Sequence, residues 1–497
     1  MNVGFLRKCS ITYLLLPNLL FCSGWFRQPY AFLLIAGLCF LFLKEIKKHD
    51  KSVLLSVKDI GFLLIFSLIW IFLCGINGYS SQSFDWLAHQ VKFYDLYKND
   101  WPIYFPEVDR FACYYFGYYL VPSFISKMYG QLLPVIFAFW TAIGFFLGLA
   151  WVYILIKKSK ILLLFFMLMR GTGQLVILIL NWLHLTHLKV PIFNPSVRSI
   201  FDQSTFAPNQ IIPALIGSGI LLYDFLNRRK IEETFFIITL LFVWGVFPAL
   251  SLTAVFAVLM MHQYVVKSGG RQLGTGKLFD NYLLPGLLFI PVFIYFLSSQ
   301  KIALQGFIWE FATEKIVWLS FFSGIMVDIL LFCLAAMVLN KKEKYFPEWF
   351  ILISLCGLLM LSVYRIGIYN DLFFRGSIPI CVILFICILR GAGVHFENRL
   401  WPKQLLFYPA GLLLLCLMLG VLFVVSNLLR DNMLANQFLG ERNTYKVYRF
   451  DAYPNTYQAL MHGYKDSVGA NQYLGAEKSF YKSYFSKLPR GKATNDK

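Results

Sequence analysis

IGFLLIFSLIWIFLCG, Ile60–Gly75, runs almost directly into NGYSSQSFDWLAHQVKFYDLYKNDWPIYFPEVDR, Asn77–Arg110. The first stretch is continuous hydrocarbon, close to the length that crosses a bilayer core. The second is a polar island holding Asp85, His89, Lys92, Asp95, Asp100, Glu107 and Asp109. Acids are scarce elsewhere, because the whole chain of 497 residues has only 26 Asp and Glu. A hydrocarbon run that opens into gathered carboxylates predicts a membrane helix that delivers a reactive site at its end.

The remainder of the chain agrees with a membrane fold. It is 58% hydrophobic and 14% charged, where soluble domains carry roughly a quarter charged residues. Apolar runs at 10–26, 28–43, 60–76, 132–156, 162–185, 207–226, 234–249, 250–266, 279–297, 316–339, 348–366, 377–395 and 404–426 predict an all-α polytopic membrane protein of about thirteen transmembrane helices. Such long runs exclude an outer-membrane barrel, whose strands alternate apolar and polar residues. The first run has no A-x-A-like cleavage site and leads into a second, so it is expected to stay as a helix.

The net charge of +19 reads as topology and not as a nucleic-acid signal. The cations fall in five short clusters: Lys44/Lys47/Lys48/Lys51, Lys157/Lys158/Lys160, Arg228/Arg229/Lys230, Lys267/Arg271/Lys277 and Lys341/Lys342/Lys344. Short basic loops face the cytoplasm. The outer segments are then 77–131, 186–206, 298–315, 367–376 and 427–497. Parity leaves one crossing between the island and Lys157, so 111–129, with its five tyrosines, is expected to lie in the headgroup zone. The organisation read this way is an N-terminal hairpin and cytoplasmic loop (1–59), a transmembrane domain (60–426) with its outer loop at 77–131, and a short extracytoplasmic tail (427–497). The ten cysteines sit mostly in apolar runs without metal or redox spacing, as small buried hydrophobes.

Within the island, Ser83–Tyr97 phases as a helix with Ser83 as its cap. Asp85, His89 and Lys92 then share one side at i, i+4 and i+7. A carboxylate there can act as a general base. It can also bind a divalent cation such as Mg or Mn together with Asp95, Glu107 or Asp109. Further candidates lie at the outer ends of other spans. His184, His187, Lys189 and Arg198 precede the span at 207, and Arg suits phosphate. Asn209 and Gln210 open that span and can bond a sugar. Arg365, Asn370, Asp371 and Arg375 form either an ion-pair lock or a phosphate clamp. Arg170 is an intramembrane charge that needs a partner.

The order of these features resembles the GT-C glycosyltransferase superfamily, in particular the protein mannosyltransferase and aminoarabinose transferase group. A membrane helix is followed by an outer loop with an early acid, Asp85 in FDWLAH. Then come a Tyr-rich interfacial stretch, YYFGYYLVPSFISKMYG (Tyr114–Gly130), and a long span ending in a basic turn, Leu132–Lys160. The similarity covers about 60–230. The acidic loop here follows the third span instead of the first, and no Pro-Pro pair precedes Tyr114. The resemblance implies transfer of a sugar from a polyprenyl-phosphate donor to a glycan, lipid or protein acceptor at the outer face of a bacterial inner membrane. It implies Asp85 as base or metal ligand, with Asp95, Glu107 or Asp109 as a second acid and Asp109 as a metal partner. The implied phosphate and sugar contacts are His89, Lys92, Lys189, Arg198, Asn209, Gln210, Arg365, Asn370, Asp371 and Arg375. Two other readings compete. An O-antigen polymerase or ligase would lean on Arg and His, and a non-enzymatic glycan transporter would need charges deep within its spans.

Overall fold

A computed structural model describes residues 1–48, 54–78, 82–173, 182–183, 195–267, 278–300, 304–312, 315–343, 345–367, 370–397, 418–422, 424–425, 447–464 and 467–487. The chain is mostly helical. Among the described residues, seven helices are long and apolar enough to cross a membrane. Burial sorts them. The windows of Pro208–Arg228 and Pro134–Leu155 are 94% and 78% buried and form the centre. Those of Gln28–Ile46 and Phe279–Leu297 are 28% and 17% buried and form the rim. Small residues let the central pair approach. A Cβ on Gly219 would lie 2.4 Å from Trp151, and one on Gly148 2.7 Å from Leu215, so these glycines act as close-contact positions.

The helix starts are written locally. Asn2 accepts from the Phe5 amide to cap α1 (Val3–Trp25). Ser56 and Asp59 form a capping box at α2 (Val57–Leu73), which satisfies amides left unpaired in the first turn. Pro134 and Pro208 open the two central helices, α3 (Pro134–Leu155) and α4 (Pro208–Tyr223). There a missing N–H costs nothing.

The basic loops meet at one end of the molecule. Asp224, fully buried, accepts from Arg7 at 2.7 Å, Arg228 at 2.8 Å and Thr234 at 2.7 Å. Arg228 also reaches Glu233 at 2.7 Å, and Lys158 donates to the Leu54 carbonyl at 2.7 Å. The described parts of all five segments expected outside gather at the other end. Gln203 bonds the Phe374 carbonyl, the Gln300 amide bonds Leu474, and the Cys113 amide bonds Tyr473.

Several sequence expectations change here. The run 162–185 is broken: its first helix, Lys160–Leu168, ends before Arg170, helix resumes at Gly173, and 174–181 and 184–185 lie outside the described residues. Beyond that first helix Asp328, fully buried in the helix turn Ile325–Leu330, accepts from the amides of Gly173 and Val197. That carboxylate satisfies two buried backbone amides, one on Gly173, where helix resumes after the break, and one on Val197. Arg170, in the break, pairs with Asp202 at 3.0 Å. The expected span 234–249 is helical only over Phe235–Leu240, before an irregular turn and the helix Val246–Met261. The stretch 404–417 lies outside the described residues. An all-α reading also missed two small antiparallel pairs, Tyr104–Phe105 with Arg110–Phe111 and Gln305–Phe307 with Tyr364–Ile366.

Asp224→Ala would take from buried Arg7 its shortest ion pair, leaving Glu45 at 3.4 Å, and from Arg228 one of its two carboxylates, at a cost of about 1–3 kcal/mol. Thermal unfolding in detergent should show a clearly lowered midpoint. A triple apolar replacement of Arg7, Asp224 and Arg228 should recover much of the loss.

Candidate functional site

The polar island folds as a helix, α5 (Asp85–Lys98). Its seat is the end of a shorter helix, Ile200–Phe206. The last carbonyls of any helix lack intrahelical donors. Here Trp86 Nε1 donates to the Thr205 carbonyl at 2.9 Å, and His89 Nε2 to the Phe206 carbonyl at 3.0 Å. Ser83 also bonds Thr205 and does not cap α5.

These bonds decide the state of His89. A carbonyl only accepts, so Nε2 carries the proton and Nδ1 accepts from the Tyr119 hydroxyl. Both ring nitrogens are used. Burial, with Lys92 nearby, pushes the His89 imidazole down to about 3. His89 is therefore a neutral strut between α5 and Tyr119, and both of its ring nitrogens are already bonded within the protein, so neither is left for the phosphate or sugar contact expected from the sequence.

The shared face of Asp85, His89 and Lys92 does line a cleft, of about 470 Å³ counting the open space at its mouth. Arg375, from the helix Asp371–Gly376, and Asn209, from the first turn of α4, face the same cleft. No cation lies within salt-bridge distance of Asp85 among the described residues. Burial raises its carboxyl above the usual range; Arg375 opposes that shift and Asp371 adds to it. Arg375 is held by Asp371 at 3.1 Å and donates to the Tyr115 hydroxyl. Asn209 is buried, and its Nδ2 has no hydrogen-bond partner among the described residues. A buried donor left unpaired is costly unless something else pairs with it.

Lys92 stands in a cage of tyrosines, with its ammonium 3.9 Å from the Tyr114 ring, 5.4 Å from Tyr473 and 5.9 Å from Tyr119. Burial and the neighbouring Arg375 push it down to about 7. Tyr114, Tyr115, Tyr118 and Tyr119 are buried. They face inward at the start of the helix Gly117–Tyr129, where the sequence reading placed them in the lipid headgroups. Paired tyrosines, YY at 114–115 and again at 118–119, were the signal. An interfacial belt and a buried cage use the same residue type, so sequence alone did not separate them.

The other predicted acids serve elsewhere. Asp95 is buried and accepts from the Thr456 amide at 2.9 Å, the Thr456 hydroxyl at 2.7 Å and Asn99 at 2.7 Å. Glu107 bonds Asn455 at 2.6 Å in the open. Asp109 is fully exposed in a left-handed turn and accepts from Tyr104. None of the three lines the cleft. Among the described residues no three His, Cys, Asp or Glu converge as metal ligands, and Asp109 does not line the cleft beside Asp85, its expected partner for a cation. Gln210 donates to Tyr115 behind the cleft wall. Arg198 stacks on Phe374 at 4.0 Å and on Phe206 at 5.5 Å. Arg365 is drawn into the second strand pair, over Phe311 and bonded to the Gly367 carbonyl. Asn370 starts the helix that carries Arg375, in a left-handed conformation at φ 52°. His184, His187 and Lys189 lie outside the described residues.

The wall facing α5 comes from the far end of the chain. Ala459, Leu460, Gly463 and Tyr473 close the cleft. Ala459 packs on Leu87 and Val91, and Gly463 meets the Phe84 ring. The tail is thus part of the site and not a separate cap.

No family model matches the chain, and no curated protein or solved structure matches it either.

Asp95→Ala should loosen this wall. Losing the acceptor for Thr456 costs about 1–2 kcal/mol, so amide exchange in Thr456–Tyr464 should speed up roughly tenfold. Glu107→Gln and Asp109→Asn should leave that exchange unchanged.

Proposed function

We propose that the protein is a membrane glycosyltransferase that moves a sugar from a polyprenyl-phosphate-type donor to an acceptor hydroxyl. The basic end faces the cytoplasm, as short Lys- and Arg-rich loops do, and the cleft opens on the opposite side. The observation that carries this reading is a single carboxylate, Asp85, open to a cleft whose other charges are the cations Lys92 and Arg375.

The chemistry needs those two kinds of group close together. Asp85 takes the proton of the acceptor hydroxyl as its oxygen attacks the anomeric carbon. The bond between that carbon and the phosphate oxygen breaks, and the electron pair leaves with the lipid phosphate. Arg375 and Lys92 meet the charge that develops there. Attack opposite the leaving phosphate inverts the anomeric centre. Asn209 offers its unpaired Nδ2 to a sugar or phosphate oxygen. The raised Asp85 carboxyl is a stronger proton acceptor when ionised than an ordinary aspartate, which suits a base in a closed site. His89 fixes Tyr119 and takes no part in proton transfer.

Two tests follow. Asp85→Asn should cut turnover by about 10²–10⁴-fold while donor binding persists; transfer at the wild-type rate would end the assignment. Lys92 must be charged to hold phosphate, and it loses its proton as pH rises through about 7. Wild-type kcat/KM for the donor should therefore fall by roughly tenfold per unit above that pH. Lys92→Arg stays charged and should abolish this falling limb.

A further inference from the structure

The last described stretch reads KSFYKSYFSK, Lys478–Lys487, and the site does not use it. Its centre is one helical turn, Tyr481–Phe485. Tyr481 is fully buried and donates to the Trp25 carbonyl at 2.7 Å. Arg27 bonds the Ser486 carbonyl at 2.7 Å, and its amide bonds Phe485 at 2.9 Å. The turn is thus pinned at the junction between α1 and Gln28–Ile46, and it packs on Phe279–Leu297 as well. Those last two are the least buried of the long apolar helices.

The pinning sets two rings outward. Phe480 and Tyr484 are 58% and 53% exposed, with ring centroids 4.5 Å apart. Phe485 lies 4.7 Å from Tyr30, whose helix goes on to expose Phe32 and Leu33, while the neighbouring helix exposes Phe293 and Leu297. The ring pair therefore continues the apolar rim at the level where that rim ends. Lys478, Lys482 and Lys487 alternate with the rings. Aromatic bodies with lysines beside them are the side chains favoured where hydrocarbon gives way to headgroups.

We propose that Phe480 and Tyr484 insert into the headgroup zone of the bilayer, with Lys478, Lys482 and Lys487 against phospholipid phosphates. The partner is a lipid surface. This turn follows closely on Tyr473–Ala476, which bonds Cys113, Phe111 and Ser298 through its backbone and sets Tyr473 in the cleft wall. Anchoring it holds the far wall of the cleft at headgroup depth. The proposal does not depend on glycosyl transfer, because it concerns where the segment sits and not what the cleft does.

The test places p-benzoylphenylalanine at Phe480 or Tyr484 of the full chain, reconstituted in mixed phosphatidylethanolamine–phosphatidylglycerol vesicles. Phe32 serves as the lipid-facing control and the exposed Gln458 as the solvent control. After irradiation, mass spectrometry should find phospholipid adducts at 480 and 484 at the yield of position 32, and none at 458. Adducts at 480 and 484 no more frequent than at 458, or crosslinks to a second copy of the chain in their place, would overturn the proposal. Neither result bears on whether Asp85→Asn abolishes transfer, so the two readings fail separately.

Discussion

His89 is bonded on both sides, to the Phe206 carbonyl through Nε2 and to the Tyr119 hydroxyl through Nδ1, and the site depends on that strut. A helix carrying Asp85, Lys92 and Asp95 cannot pack against apolar spans unless its polar groups find partners. Trp86 and His89 solve this by using carbonyls that the helix Ile200–Phe206 leaves unpaired. With both ring nitrogens spent, the helix cannot rotate without breaking two bonds. That rotation fixes which side faces the cleft, and so places Asp85 and Lys92 in it.

The charges around the cleft are arranged so that its cations do not cancel Asp85. Arg375 is tied to Asp371, and Lys92 is caged by aromatic faces instead of a carboxylate. An aromatic face stabilises a cation without neutralising it. Asp85 is therefore left without an ion-pair partner among the described residues, where a tight pair with Lys92 would have lowered its basicity. Asp95 lies only three residues beyond Lys92 and has the opposite fate. It is saturated by Thr456 and Asn99 and works as a clasp between α5 and the C-terminal segment. Two acids on one short helix thus divide into an open group and a structural one.

Much of this was legible in the chain. Hydrocarbon runs of bilayer length named the helical membrane class, and the basic clusters named which loops share an end. The contacts of Lys48 with Glu233 and of Lys158 with the Leu54 carbonyl bring three of those loops together. The 3.6-residue period put Asp85, His89 and Lys92 on one face, because that period is a property of the backbone alone. Helix breaks were less legible. The run after Lys160 reads as one span across Arg170–Gly173, but its first helix ends at Leu168 and helix resumes at Gly173, whose amide bonds Asp328 from far along the chain.

Tertiary structure alone decided which polar groups would be spent on one another. Composition cannot say that Tyr114 and Tyr119 turn inward around Lys92, since tyrosine is equally at home in a headgroup belt. Spacing cannot say that Asp95 meets Thr456, which lies 361 residues away. Nor can it say that the tail closes the cleft. The sequence determined the helices, their polar faces and the end at which the acids gather, because these follow from local periodicity and the cost of placing charge in hydrocarbon. Which carboxylate faces the cleft was chosen by contacts between remote segments: of the acids in the island, Asp85 is the one that the fold leaves there.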